Sequence, residues 1–206
     1  MSDAGFWNDL ARKYATHQIK DPESYEYTLD RTLSYLTATD RVLELGCGTG
    51  STALRIAPAV GEMVATDFSS EMILIAREKA EAAAITGLSF EVAGADDAAD
   101  RAAPFDAVLA FNLIHLLPDP KNHIAAMAAR LTPGGYLITK TPCLSKRAWM
   151  FKPAIFVMRM IGNAPRNVNF FSFAQYDEMM RAAGLVVVET DVRPEPFSRY
   201  LVARKR

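Results

Sequence analysis

Short runs of Val, Ile, Leu and Phe recur along the chain at 41–45, 63–67, 88–93, 105–111 and 135–141, with helix-like segments between them. Most are apolar on both sides of the pleat, the pattern of a strand covered by helices on both faces. Regular alternation of strand and helix predicts an α/β sandwich. Two further runs, 185–192 and 200–204, are joined by a stretch holding Pro194 and Pro196 that is too short for a crossover helix, so they are expected to pair antiparallel.

Helix ends are marked by side chains. Ser69 and Ser70 can cap a helix whose first turn holds Glu71, and Gly87 is placed to close its far end. Another helix is expected from about Asp119 to Leu131, stopping before Pro133, Gly134 and Gly135. Residues 6–38 read as a helical prelude with Phe6, Trp7, Tyr14, Tyr25 and Tyr27, able to pack across an open edge of a site. The whole chain, 1–206, reads as one domain, with 1–38 as an N-terminal helical cap and 142–172 as an insert.

The strongest chemical signal is Val42-Leu43-Glu44-Leu45-Gly46-Cys47-Gly48-Thr49-Gly50, a buried strand that runs into three alternating glycines and then a helix. A loop without Cβ atoms lets backbone approach a ligand, and the N–H groups of the next helix point at it. Seventeen residues after Gly50, at the end of the next strand, stands Asp67, where a carboxylate can accept hydrogen bonds from ribose hydroxyls. A P-loop needs Gly-Lys-Ser or Gly-Lys-Thr, and no lysine follows Gly50 before Lys79. A dinucleotide fingerprint would need glycine at Ser51 and would set a pyrophosphate near the Glu44 carboxylate. A ligand bearing an ammonium group suits Glu44 better, and S-adenosylmethionine carries one.

Composition narrows the partner class. Lys and Arg number 23 against 24 for Asp and Glu, a net charge of −1 that provides no basic field for nucleic acid. Residues 1–14 hold Asp3 and Asp9 and lack the apolar core of a secretory signal. Charges or prolines break every apolar run before membrane-spanning length, so membrane contact is expected at a surface at most. Two cysteines, Cys47 and Cys143, make no disulfide framework, and a reducing cytoplasm fits them.

The pattern Glu-x-Gly-x-Gly-x-Gly at 44–50, Asp67 ending the second strand, Phe105-Asp106-Ala107-Val108 opening the fourth and Leu131-Thr132-Pro133-Gly134-Gly135 before the fifth resembles class I S-adenosylmethionine-dependent methyltransferases, over roughly residues 40–141. The resemblance implies a Rossmann-like α/β three-layer sandwich with a seven-stranded mixed sheet, six strands parallel and one antiparallel. It also implies methyl transfer with S-adenosylmethionine as the methyl donor and S-adenosylhomocysteine as product, and says little about the acceptor, for which the absent basic field and the apolar segment after residue 142 make a small or lipid-like molecule the expectation. In such enzymes the loop of Gly46, Cys47, Gly48 and Gly50 wraps the methionine portion with Glu44 nearby, the acid at Asp67 holds the ribose, and Phe68 and Met72 flank the adenine. An acid after the third strand meets the adenine amino group, and both Asp96 and Asp97 stand in place for it.

Asn112, ending the fourth strand in Asn112-Leu113-Ile114-His115, is expected beside the reactive methyl. The Asn-Pro-Pro-Tyr of amino-directed nucleic-acid enzymes is absent there, which again disfavours nucleic acid. His115 is a candidate general base, against the plainer reading of an imidazole that caps the next turn. Tyr14 and His17 are candidates of the same kind. His115 and His123 lack the helical spacing of a zinc site, no carboxylate cluster suggests magnesium, and no metal is expected. Cys143 reads as a buried small hydrophobe.

From Pro142 to Tyr176 the chain carries Lys146, Arg147, Lys152, Arg159 and Arg166, no acid, and many large apolar side chains. Such a segment can lid an acceptor, pack on the N-terminal helices, form a homodimer contact in place of a monomer, or touch a membrane surface. A nicotinamide-dependent oxidoreductase and a non-catalytic S-adenosylmethionine-binding module remain the alternative functions.

Overall fold

A computed structural model describes residues 3–16, 19–96, 104–160, 162, 164–192 and 197–206. His17 and Asp97 lie outside the described residues. The strands are β1 (Arg41–Leu45), β2 (Glu62–Asp67), β3 (Leu88–Val92), β4 (Phe105–Phe111), β5 (Leu131–Pro142), β6 (Leu185–Val192) and β7 (Ser198–Lys205). They form one sheet in the order β3-β2-β1-β4-β5-β7-β6. Only β7 runs against its neighbours, pairing antiparallel with both β5 and β6, so the sheet has the expected six parallel strands and one antiparallel.

The helices are α1 (Asp3–Thr16), α2 (Pro22–Leu33), α3 (Ser51–Ile56), α4 (Ser70–Ala82), α5 (Pro120–Ala129), α6 (Ala148–Met160) and α7 (Phe173–Ala182). Successive strand residues face opposite layers. Val42, Met63, Ala65, Ala107 and Leu109 pack with Leu29, Ala53, Ile56, Ile73 and Ala76, from α2, α3 and α4, on one side. Leu43, Leu45, Val64, Val108 and Ala110 pack with Ile124, Met127, Tyr176 and Met180, from α5 and α7, on the other. The double-sided burial read from the sequence is thus the three-layer sandwich.

Two helix ends differ from expectation. Ser69 caps α4 by accepting from the Met72 N–H at 3.2 Å, but the helix stops at Ala82 and Ala84 takes the left-handed turn at φ 50°. Gly87 instead leads into β3, its carbonyl accepting the Met63 N–H at 2.8 Å. Asp119 caps α5 as expected, yet the helix ends at Ala129, because Leu131 already pairs with Phe105 as the first residue of β5. Pro133 sits where the β4–β5 register shifts, a place that tolerates a residue without an N–H.

The strand order reverses between β1 and β4, and in an open α/β sheet ligands bind beyond the carboxyl ends of strands at such a switch point. The glycine loop leaves β1 there, and Asn112 leaves β4 beside it.

Candidate functional site

The glycine loop is held from beneath. The Cys47 N–H donates to the Thr66 carbonyl at 2.9 Å, and the Gly48 N–H donates to Asp67 Oδ2 at 2.9 Å. Asp67 Oδ1 accepts the Ser69 N–H at 2.9 Å, so one carboxylate joins the loop after β1 to the entry of α4. Two of the glycines are required by packing. A Cβ at Gly46 (φ +66°) would lie 2.8 Å from Leu113 Cδ1, and one at Gly50 (φ +75°) would lie 2.7 Å from Phe90 Cζ. Gly48 differs: among the described residues its missing Cβ has only Tyr14 Cε1 within reach, at 3.9 Å.

Tyr14 arrives there on α1. That helix docks on α4 through Trp7, Ala11 and Ala15 against Met72 and Ile75, and Ser69 Oγ donates to Asn8 Oδ1 at 2.6 Å. Between α1, the loop and the ends of β2, β3 and β4 lies a cavity of about 910 Å³. Its wall includes Glu44, Gly46, Cys47, Gly48, Asp67, Phe68, Met72, Asp96 and Asn112, so the sheet ends bring these expected cofactor residues together. Gly50 is not on that wall; its place is against Phe90 and Ala76. Asn112 has φ 54°, a left-handed conformation that Asn tolerates better than most side chains, and its N–H donates to the Lys140 carbonyl at 2.7 Å.

Glu44 is the electrostatic feature of the site. It is 2% exposed, its Oε2 has no hydrogen-bond partner, and its side chain borders the cavity. Burial, and then the Asp67 carboxylate nearby, push its pKa up to about 8. Burial also raises Asp67 from its ordinary value, opposed by the N–H groups of Ser69 and Gly48. An acceptor oxygen without a donor is costly inside a protein, about 1–3 kcal/mol, and a ligand cation offsets that cost. The Cys47 thiol is raised far above its usual range by burial and by Glu44, which leaves it a neutral wall.

The candidate bases fare differently. Tyr14 borders the cavity, and its phenol is raised by the surrounding protein and by the Asp67 charge, which suits donation of a hydrogen bond better than proton abstraction. His115 is not on the cavity wall. Its Nδ1 lies 3.2 Å from Thr141 Oγ1, and burial pushes its pKa down to about 4, so the ring is neutral near pH 7 and faces β5. The ring therefore packs toward β5 through Thr141 and does not cap the turn that follows β4.

The sequence offers His123 only as a possible metal ligand, yet it stands at the cavity edge. Its Nε2 is 2.9 Å from Asp96 Oδ1 and its Nδ1 is 2.6 Å from the Asp119 carbonyl, so both ring nitrogens face oxygen acceptors. The prelude contributes more of the wall than its aromatic content alone announced: Trp7, Leu10, Lys13, Lys20 and Tyr25 border the cavity with Tyr14. Among the described residues of the 142–172 insert only Pro165 and Asn167 do so, and α6 takes no part in the wall. Among the described residues no group of three His, Cys, Asp or Glu side chains could hold a metal ion.

A glycine loop, an acid one strand later and an orphaned buried carboxylate at a sheet switch point are the features of an S-adenosylmethionine-dependent methyltransferase, and comparison with known proteins gives the same class. Residues 15–190 match the family described as methyltransferase domain, and the chain belongs to that family. It is 27% identical over 199 residues to a ubiquinone biosynthesis O-methyltransferase of Xylella fastidiosa (strain 9a5c), covering 94% of this chain and 79% of the relative. In fold it is similar to magnesium protoporphyrin IX methyltransferase of Synechocystis PCC 6803 with bound S-adenosylhomocysteine, at TM-score 0.71 and 18% identity, with 100% of both chains covered. The DhpI complex with S-adenosylhomocysteine gives TM-score 0.74 and 19% identity over 98% of this chain and 95% of that one. The protein is therefore an S-adenosylmethionine-dependent methyltransferase. The nicotinamide-dependent and non-catalytic alternatives gain no support from these likenesses.

Proposed function

We infer that the protein methylates an apolar small molecule or lipid-like acceptor, with oxygen as the receiving atom. One observation carries the reading: a cavity of about 910 Å³ whose buried floor holds a carboxylate oxygen with no donor. In this reading Glu44 receives the cofactor's ammonium and Gly48 leaves room for the methionine chain. Asp67 accepts from the ribose hydroxyls, Phe68 and Met72 sandwich the adenine, and Asp96, steadied by His123, meets its amino group. When bound, the cofactor supplies an activated methyl group on a sulfonium.

The volume exceeds what one nucleoside needs, so the remainder, walled by Trp7, Leu10, Tyr14 and Leu113, is left for the acceptor. Those walls are mostly apolar. The protein's work at this step is to hold the acceptor oxygen in line with the methyl group and to exclude water. Tyr14, half-exposed over Gly48, orients the acceptor by a hydrogen bond, while α1 and the start of α2 cap the site. The oxygen assignment leans on the O-methyltransferase name of the Xylella relative. Among the described residues of the segment at 142–172 only Pro165 and Asn167 border the cavity, so in this reading the cap rather than the insert is its lid.

The test is incubation with methyl-labelled S-adenosylmethionine and fractionated metabolites, lipids included. Label in an apolar product, released only by reagents that cleave methyl ethers such as boron tribromide, is the expected result. Label confined to amine-containing or protein fractions would overturn the acceptor assignment.

A further inference from the structure

The segment between β5 and α7 holds a helix that the fold does not use. None of the residues of α6 is buried, although it is among the most apolar stretches of the chain. Trp149 is 79% exposed, Phe156 64% and Met160 75%. With Pro153 they follow the spacing four, three, four, so they form one continuous stripe along the helix. Phe151 and Ile155, half-buried, take the opposite side toward the protein.

Charge is arranged around this stripe. Lys152 and Arg159 flank one side of it, and Lys146, Arg147 and Arg166 stand at the ends of the segment, all exposed. No acidic residue occurs from 142 to 176, in a chain whose overall net charge is −1. Lys152 Nζ lies 5.8 Å from the Phe170 ring and Arg147 Cζ 4.2 Å from that of Phe197, so these two cations are steadied by aromatic faces. The Arg159 Nε–H donates to the Pro165 carbonyl at 2.9 Å, which ties the helix to the residue that borders the cavity.

We propose that α6 is a docking element for an anionic lipid surface, lying in the plane of the interface with Trp149, Phe156 and Met160 inserted and the basic residues against the headgroups. An interfacial helix of this kind needs an exposed apolar face, cationic flanks and aromatic anchors, and α6 supplies all three. It lies along the surface and does not cross it, since among the described residues no helix is long and apolar enough to span a membrane. A second copy of the chain is the poorer occupant. In a symmetric contact the same cations would face each other across the seam. Docking here also sets Pro165 and Asn167, on the cavity wall, next to the lipid, which is where a poorly soluble acceptor would be drawn from.

The proposal stands apart from the acceptor assignment, because lipid docking is measured without cofactor or turnover. Full-length protein is floated with phosphatidylcholine vesicles and with vesicles that also contain phosphatidylglycerol. The expected result is recovery with the anionic vesicles only, with release near 1 M salt, where the Debye length falls to about 3 Å. Lys152→Glu should weaken the partition about tenfold or more, and Trp149→Glu with Phe156→Glu should abolish it. Both changes fall on exposed side chains, so the melting temperature and S-adenosylmethionine binding should hold, which separates loss of docking from loss of fold. Failure to float with any vesicle, flotation unchanged in the double variant, or a dimer in solution that the double variant dissociates would each overturn the assignment.

Discussion

The carboxylate of Asp67 accepts the backbone N–H of Gly48 at 2.9 Å, so the acid ending β2 shapes the loop leaving β1 before any ligand is bound. Its second oxygen holds the Ser69 N–H. Asp67 is therefore expected to matter twice. Asp67→Ala loses charge-assisted hydrogen bonds of about 1.5–3 kcal/mol, an affinity loss of about 10- to 100-fold for S-adenosylmethionine. It should also lower the melting temperature of the ligand-free protein. Calorimetric titration and thermal denaturation of the same variant check both, and unchanged affinity would remove Asp67 from the site.

The three loop glycines should separate under alanine substitution. At Gly46 and Gly50 a methyl group would meet Leu113 and Phe90 below 3 Å, an overpacking cost of about 1–3 kcal/mol on top of the left-handed backbone. At Gly48 only the Tyr14 ring is near among the described residues, so the backbone cost of about 1–2 kcal/mol applies. Gly50→Ala is expected to lower stability most, because Phe90 and Ala76 both crowd it. Gly48→Ala should lower stability least while losing cofactor affinity, since its methyl would enter the cavity. Paired melting and binding curves for the three variants give the comparison.

The sheet was legible because buried strands carry apolar residues on both faces, and the antiparallel pair because its connection is too short for a helix. The helix ends were harder. Gly87 looks like a helix stop, but the chain had already turned at Ala84, and the glycine was needed where β3 meets β2. Leu131 continues the apolar spacing of α5 and yet belongs to β5, since pairing with Phe105 outweighs local propensity. In the site, the Glu44–Gly50 loop and Asp67 announced themselves by spacing, whereas His123 did not. Its role depends on where the cap of α5 meets the loop after β3, a tertiary relation with no local signature.

His115 should leave no mark on the rate near neutral pH. Burial pushes its folded pKa down to about 4, against 6.5 for the free side chain, so the folded state binds fewer protons than the unfolded one between these values. Its contribution to stability is present above pH 6.5 and is lost as the pH falls toward 4. The loss is on the order of 1–3 kcal/mol, reduced because the ring is only half-buried. His115→Gln is expected to keep methyl transfer within about threefold and to flatten the stability profile over that acid window. A kcat/KM profile with a limb near pH 6.5 that vanishes in the variant would restore His115 as a base.

Glu44 predicts the opposite dependence, in a window that extends above the one His115 covers. Its folded pKa of about 8 lies above the ordinary 4.5, so the folded, ligand-free protein binds more protons than the unfolded chain between those values. Its contribution to stability is fully present below pH 4.5 and declines as the pH rises toward 8. Above pH 6.5, where His115 is neutral in both states, the decline attributable to Glu44 is the difference between wild type and Glu44→Gln. Binding should run the other way. An ammonium group pairs with the ionised carboxylate, so binding expels a proton, and affinity should rise up to tenfold per pH unit from 6.5 to 8. Glu44→Gln should bind more weakly at pH 8 and show no such slope. Calorimetry in buffers of different ionisation enthalpy counts the proton directly: release approaching one proton near pH 7 in the wild type and none in the variant is the expected outcome. Equal release in both would mean that the orphaned oxygen of Glu44 does not receive the cofactor's ammonium.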